Sequence, residues 1–264
     1  MIRAASPLSL VLLLPLLSCG EETRFFIVHN QVPQEGCVVS SQRGNAYRGD
    51  GRLDVALVSD SASTAYSIYA LLQNDLPAVT TEGAPQPNRL TIKGFHVEIE
   101  LAAGAPALAR QVFDGIAADP ALAGLLAYDE PTSGTLEPGG NLSSGVGAFP
   151  AEIARRLLGS GVFDATPEVQ VTIRLRALAS RQTGDISSTE FHYPLTICAG
   201  CLMAVRGTCP VDKLENPGNA CRLSQDDLVD CCRESGRLRC PAPVKETTTT
   251  TTTTTTTGTM TPMP

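Results

Sequence analysis

The chain has 264 residues and a formal net charge of −7, and it contains no tryptophan. This length predicts one or two domains, and 23 glycines with 19 prolines are typical of a turn-rich globular protein. The only basic runs, at residues 155–156 and 233–239, are short. Because binding to a phosphate backbone needs clustered lysines and arginines, nucleic acid is not expected as a partner.

The N-terminus has the layout of a secretory signal peptide. Arg3 precedes an apolar stretch at residues 8–17, which is too short to span a bilayer. The sequence Leu-Leu-Ser-Cys-Gly at residues 16–20 overlaps its end and resembles the lipobox of bacterial lipoproteins. The resemblance implies that residues 1–18 are removed and that Cys19 is acylated. An ordinary signal peptide with an incidental cysteine is the alternative.

The lipobox resemblance also implies where the protein resides. A diacyl group and an amino-linked chain on Cys19 would anchor the mature protein stably, because each buried CH₂ contributes about 0.8 kcal/mol. Glycine rather than aspartate follows the cysteine, which implies the outer membrane. Residues 19–24 then form a short lipidated tether, so the membrane is the first expected partner.

The next region, residues 25–202, is predicted to be mainly β. Apolar patterns predict short strands at residues 25–32, 36–40, 53–58, 67–72, 90–101, 169–177 and 187–197. In the fifth of these strands the alternation changes phase at Gly94, which predicts a β-bulge. In the sixth, the apolar residues alternate without a break and predict one inward face.

Between the strands, helical spacing predicts short helices at residues 106–116, after residue 119 and at 150–158. A long, turn-rich loop is expected at residues 129–147. Short strands separated by turn signals, without a repeated alternation of strands and long helices, predict an antiparallel Ig-like β-sandwich with short helical insertions.

The cysteine count favours disulfides. Nine cysteines become an even set of eight when Cys19 is lipidated, and such a set outside the cytoplasm predicts disulfide bonds. Seven of the eight lie in or next to a small cap at residues 203–241, so parity predicts that one of them bonds to Cys37. The connectivity stays open. The candidates are Cys37, Cys198, Cys201, Cys209, Cys221, Cys231, Cys232 and Cys240.

Within the cap, a capping-box pattern at residues 224–227 predicts a helix over residues 225–235. This helix would carry Cys231 and Cys232 on neighbouring faces. Adjacent Cα atoms are about 3.8 Å apart, which is shorter than usual disulfide geometry allows. Each of the two cysteines is therefore expected to bond to a different partner.

The pair Cys198-Ala-Gly-Cys201 has two alternatives to a structural disulfide. A C-x-x-C pair is a common zinc-ligand spacing, and it is also the spacing of redox-active dithiols. The cysteine cluster lacks histidine, and this pair ends a predicted strand instead of opening a helix. The structural disulfide is therefore the preferred interpretation.

No catalytic, cofactor-binding or metal-binding residue is expected. The histidines occur in predicted strands outside any known catalytic motif: His29, His96 and His192. Glu98 and Glu100 alternate with apolar residues and indicate a solvated strand face. The Arg-Gly-Asp tripeptide at residues 48–50 is interpreted as part of a hairpin turn. Residues 242–264 contain eleven consecutive threonines and predict a disordered tail.

The whole layout resembles uncharacterised outer-membrane lipoproteins of myxobacteria and their relatives. The matching features are the lipobox ending at Cys19, the strand at 169–177 and the strand that runs into C-x-G-C at 198–201. We therefore expect a non-catalytic, membrane-anchored lipoprotein of the bacterial cell envelope that binds or scaffolds a protein or polysaccharide, without a cofactor. The alternatives are an envelope hydrolase, a thiol-redox protein, or an accessory factor of a secretion or surface-polymer system.

Overall fold

A computed structural model describes residues 24–81 and 84–245. In chain order its strands are β1 (Phe25–Gln31), β2 (Tyr47–Arg48), β3 (Gly51–Asp54), β4 (Thr64–Asn74), β5 (Leu90–Leu101), β6 (Ala127–Leu136), β7 (Asn141–Pro150), β8 (Glu168–Arg181), β9 (Gly184–Ser187), β10 (Phe191–Cys198), β11 (Met203–Thr208), β12 (Val229–Glu234) and β13 (Arg237–Arg239). The α-helices are α1 (Ala107–Ala118), α2 (Ala151–Gly159) and α3 (Val162–Ala165).

Two sheets pack face to face around one apolar core. The first sheet has the order β2-β1-β4-β7, and the second has the order β3-β10-β8-β5-β6, with β9 beside the end of β8. Neighbouring strands are antiparallel except β3 and β10, which are parallel. The prediction of a mainly β, antiparallel sandwich with short helical insertions is confirmed.

Strand β8 shows how the sequence specifies this core. Its alternate residues Val169, Val171, Ile173 and Leu175 are each at most 2% exposed. They pack in the same cluster as residues of the opposite sheet, including Tyr66 of β4. Successive side chains of a strand point to opposite faces, so one apolar residue in two is sufficient to build the inner surface.

The predicted bulge at Gly94 is confirmed. The pairing register of β5 shifts between Ile92 and Gly94 against both of its neighbours, β6 and β8. A Cβ atom at Gly94 would lie 2.6 Å from the backbone oxygen of Glu130. Glycine is therefore required here by the close approach of the neighbouring strand.

The prediction of a long loop at residues 129–147 is wrong. The chain forms the hairpin of β6 and β7 there, with β6 at the edge of the second sheet and β7 at the edge of the first. Edge strands tolerate proline and expose one face, so the polar, glycine-rich sequence is compatible with pairing. The apolar residues that reveal the hairpin lie near its turn and its end, at Leu136, Val146 and Phe149.

One predicted strand is absent and another is shorter than predicted. Residues 36–40 contain no regular strand, and a 3₁₀ helix, Glu35–Cys37, occupies the start of this segment. The strand predicted at 53–58 ends at Asp54, because the Asp54 carboxylate accepts the Ala56 N–H at 3.0 Å and begins the 3₁₀ helix Val55–Leu57. The helix expected after residue 119 is the 3₁₀ helix Ala123–Leu125.

The prediction of a cap helix over residues 225–235 is also wrong. The segment contains β12, the central strand of a three-stranded sheet with the order β11-β12-β13. Asp226 has a φ of +67°, which a helix does not accept. A strand also directs Cys231 and Cys232 to opposite faces, towards their separate partners Cys240 and Cys209.

Residues 242–245, which we expected in the disordered tail, are bonded to the cap. The Ala242 N–H donates to Asp230 O at 2.7 Å, and the Val211 N–H donates to Pro243 O at 3.0 Å. The threonine run at residues 247–257 lies outside the described residues.

We expect Gly94→Ala to lower the free energy of unfolding by about 1–3 kcal/mol, because the new methyl group has no room against Glu130. Gly115→Ala is the matched control. It lies in α1 with open space around the new Cβ and should raise stability by about 0.5–1 kcal/mol. Urea unfolding of the Cys19→Ser chain measures both, and equal effects of the two substitutions would contradict the close approach.

Candidate functional site: the polar seam between sandwich and cap

The cap closes the open side of the sandwich through residues 222–227. We call this contact the seam; it joins residues 222–227 to Arg48, β3 and the first residues of β4. The Asp54 N–H donates to Ser224 O at 2.8 Å, and the Asp226 N–H donates to Arg52 O at 2.8 Å. The cap segment therefore continues the second sheet beyond its edge strand β3.

The same segment bonds to the first sheet with its side chains. The Ser67 N–H donates to Gln225 Oε1 at 3.0 Å, and Ser224 Oγ donates to Ala65 O at 3.0 Å. Arg222 donates to Thr64 O at 3.0 Å. The register of β4 against β7 is irregular over these residues, so the cap supplies hydrogen bonds to this part of β4.

A chain of buried polar side chains crosses the sandwich to the seam. Asn30 Nδ2 donates to the Tyr193 hydroxyl, the two hydroxyls of Tyr193 and Tyr66 bond to each other, and Tyr66 donates to Asp226 Oδ1, each at 2.9 Å. Tyr66 and Tyr193 are fully buried. Gly51 makes room for them, because a Cβ there would lie 2.3 Å from the Tyr66 hydroxyl oxygen.

Asp226 is the ionisable group at the centre of the seam. Burial raises the pKa of its carboxyl to about 6, against the opposing effects of the Arg52 N–H, the Tyr66 hydroxyl and the Arg48 guanidinium. Arg48 Nε lies 3.7 Å from Asp226 Oδ2, and its Nη2 pairs with Asp227. Burial also raises the pKa of Tyr193 to about 12, so both phenols stay protonated as hydrogen-bond donors.

A second carboxylate holds the C-x-x-C turn against the sandwich. Asp54 is fully buried and accepts the N–H groups of Gly200 at 2.7 Å and Leu202 at 2.9 Å. The two cysteines of the turn, Cys198 and Cys201, are bonded to each other. In a redox site, backbone N–H groups and positive charge stabilise a thiolate; here the N–H groups bind a carboxylate instead, which favours a structural disulfide.

The eight cysteines of the described residues form four disulfides. Cys37 bonds to Cys221, which confirms that one cap cysteine reaches the sandwich. The other pairs are Cys198–Cys201, Cys209–Cys232 and Cys231–Cys240, so the adjacent cysteines have different partners as predicted. Cys19 lies outside the described residues.

The three histidines do not meet at one site. On the outer face of the second sheet, His96 contacts Asp129 at 2.7 Å, and the hydrogen bond to this carboxylate raises the histidine pKa. His192 contacts Glu190 at 2.6 Å on the same face, and Arg174 pairs with both Glu190 and Glu98, the second carboxylate that His96 contacts. His29 lies in the first sheet and stacks on Tyr47 with ring centroids 4.9 Å apart.

Glu98 and Glu100 lie on the outer face of the second sheet, as the alternation predicts. Sequence reasoning missed that Arg174 of the adjacent strand β8 pairs with both of them and with Glu190. It also missed the role of Arg48: the sequence indicates only a turn at residues 48–50, whereas the Arg48 side chain belongs to the seam. Its partner Asp227 is 179 residues away in the chain, and no local pattern signals such a contact.

No helix in residues 24–81 and 84–245 is long and apolar enough to cross a membrane. Over the same residues, no group of three or more histidine, cysteine, aspartate or glutamate side chains is arranged to hold a metal ion.

No family model matches the chain, and no curated protein matches it. A solved structure titled "Crystal structure of protein from Archaeoglobus fulgidus" is similar over 54% of this chain and 90% of its own, with 12% sequence identity and a TM-score of 0.33. A similarity of this size carries no inference about function.

We expect Asp226 to make stability depend on pH. Its carboxyl has a folded pKa of about 6 against an unfolded value of 3.8, so the folded chain binds more protons between these values. The free energy of unfolding should therefore gain about 1 kcal/mol from this group as the pH falls from 7.5 to 5.

Asp226→Asn should remove this contribution. His96 also has a raised pKa and changes stability in the same direction, so the difference between the two pH profiles is the quantity to measure. Chemical unfolding at several pH values gives both profiles. Parallel profiles for the two proteins would show that Asp226 titrates normally in the fold.

We expect the Cys37–Cys221 disulfide to contribute most to stability, because it joins residues separated by 184 positions. The double variant Cys37→Ser, Cys221→Ser should lose about 5 kcal/mol on the chain-entropy model. The matched double variant Cys198→Ser, Cys201→Ser opens a separation of only 3 and should lose about 2 kcal/mol. Thermal unfolding compares the two, and a larger loss for the second pair would contradict the assignment.

Proposed function

We propose that the protein is a non-catalytic lipoprotein of the bacterial cell envelope. It is anchored through Cys19, in the outer membrane, and binds or scaffolds a partner there. The observation that carries the proposal is the pairing of all eight cysteines in the described residues. Disulfides persist in oxidising compartments outside the cytoplasm. Their number leaves Cys19, at the end of the signal-peptide pattern, as the ninth cysteine.

The arrangement of the polar groups supports a binding role over catalysis. The buried groups of the seam are directed at one another and hold two parts of the chain together. On the outer sheet face, the hydrogen bonds of His96 and His192 go to carboxylates, and not to a hydroxyl or thiol that could act as a nucleophile. Because these groups bond within the chain, we infer that the protein acts by binding a partner on its surface.

We expect Cys19→Ser to move the protein from the membrane fraction to the soluble fraction and to abolish labelling with a radioactive fatty acid. The hydroxyl group cannot take the thioether-linked diacyl group that the lipobox resemblance implies. Ser18→Ala is the matched control, because it keeps a small residue before the cysteine and should leave the protein in the membrane. Membrane retention of Cys19→Ser would refute the anchor.

A further inference from the structure

The first described residue, Arg24, and the cap lie at opposite ends of the sandwich. Arg24 O accepts the Asp75 N–H at 2.7 Å, so the chain enters at the end where β4 finishes. Arg222 of the cap binds Thr64 O, where β4 begins. Eleven residues of β4 separate these points, which is roughly 33 Å at about 3.3 Å per residue.

An anchor at Cys19 keeps the entry end near the membrane. Six residues lead from Cys19 to Phe25, and an extended chain of that length spans at most about 20 Å. This step rests on the proposed function. With it, the cap becomes the part of the described chain that is farthest from the lipid.

The three-stranded sheet of the cap projects from this far end. The end of this sheet nearest the sandwich, which we call its base, is where the Val229 N–H donates to Leu202 O at 2.8 Å. Strands β11 and β12 are parallel and both start at this base. Their first residues are buried or half-buried, and their last residues are exposed. Ser235 and Gly236, with φ of 51° and 81°, form the two-residue turn between β12 and β13. We call residues 233–239 together with Val205 the tip.

One face of the tip has an apolar centre. Leu238 is 42% exposed and Val205 is 48% exposed. Arg233 pairs in register with Leu238, and Val205 pairs with Cys231, two residues before Arg233. Paired residues and residues two apart in a strand share a face, so the two aliphatic side chains lie on the same side as Arg233.

One positive charge lies on the face of this centre and two lie on the opposite face: Arg233 pairs with Leu238, whereas Arg237 and Arg239 alternate with Leu238 along β13. Residues 233–239 contain three arginines and one glutamate, a local charge of +2 in a chain of net charge −7. Glu234 pairs with Arg239. Among the described residues, no ion pair includes Arg233 or Arg237. The guanidinium group of Arg233 is therefore available, on the face of Leu238 and Val205, for a carboxylate outside the chain, which arginine binds in a bidentate geometry.

We infer that the tip is a docking surface for a protein partner that presents an apolar patch bordered by aspartate or glutamate. Half-exposed aliphatic side chains gain free energy only against apolar surface, at about 25 cal/mol per Å². Aliphatic side chains with arginine beside them match the composition of protein–protein interfaces, which have an apolar core and a polar rim. The charge of the tip selects acidic partners and favours their approach.

The test places p-benzoylphenylalanine at position 238 of the full-length chain in its native membrane and activates it with light. We expect one discrete adduct of protein mass, whose cross-linked peptide lies beside acidic residues. The same probe at Thr135, exposed at the membrane-side end of β6, should not give this adduct. Adding Arg233→Glu should lower the yield at least tenfold, whereas Arg233→Lys should retain most of it.

The other outcomes each overturn the inference. They are an adduct with lipid, an adduct with polysaccharide, an adduct with a second copy of this chain, no adduct, and a yield that Arg233→Glu leaves unchanged. Resistance to protease confirms that each variant is folded. Because every variant retains Cys19, fractionation of the same samples tests the anchor separately: loss from the membrane with the adduct intact refutes the anchor alone.

Discussion

The hydrogen bonds that join the cap segment to β3 and to the first residues of β4 are the constraint on which the rest of the structure depends. Backbone groups of Asp54, Ala65 and Ser67 are buried at the open side of the sandwich and find their partners in residues 224–225. A buried polar group without a partner costs about 1–3 kcal/mol. The cap therefore completes the fold of the sandwich and is not simply appended to it.

The disulfide and the polar chain act on the same contact by different physical means. The Cys37–Cys221 bond restricts the unfolded chain, whereas the bonds from Asn30 through the two tyrosines to Asp226 stabilise the folded one. Asp226 is the costly element, because burial disfavours its ionised form. Arg48 of β2 offsets part of that cost by placing its guanidinium beside the carboxylate.

The sequence contained enough information for the parts of the fold that depend on local pattern. The alternation in β8, the phase change at Gly94 and the parity of the cysteines each have one physical meaning, and the structure bears them out. The hairpin of β6 and β7 was not predicted from the sequence, because edge strands do not need an apolar face along their whole length. The false helix at residues 225–235 arose because Ser224 and Gln225 use their side chains on β4, 158 or 159 residues away, and not on their own backbone.

The seam could not be predicted from the sequence either, because its contacts also join residues that are far apart in the chain. Tyr66 and Asp226 are separated by 160 residues, and each is an ordinary polar or aromatic residue in its local context. The compartment and the anchor, in contrast, follow from the short pattern around Cys19 and stay predictions. The structure itself puts the entry of the chain at Arg24 and the cap at opposite ends of β4.

Hydrogen exchange under native conditions tests the central claim most directly, namely that cap and sandwich form one cooperative unit. The amide N–H groups of Ser67 and Asp54, which bond across this contact to Gln225 and Ser224, should exchange with the same free energy as that of Ile173 in the core, because all three then require global unfolding. Exchange of Ser67 and Asp54 at a free energy several kcal/mol lower than that of Ile173 would show that the cap opens on its own, and would contradict the account.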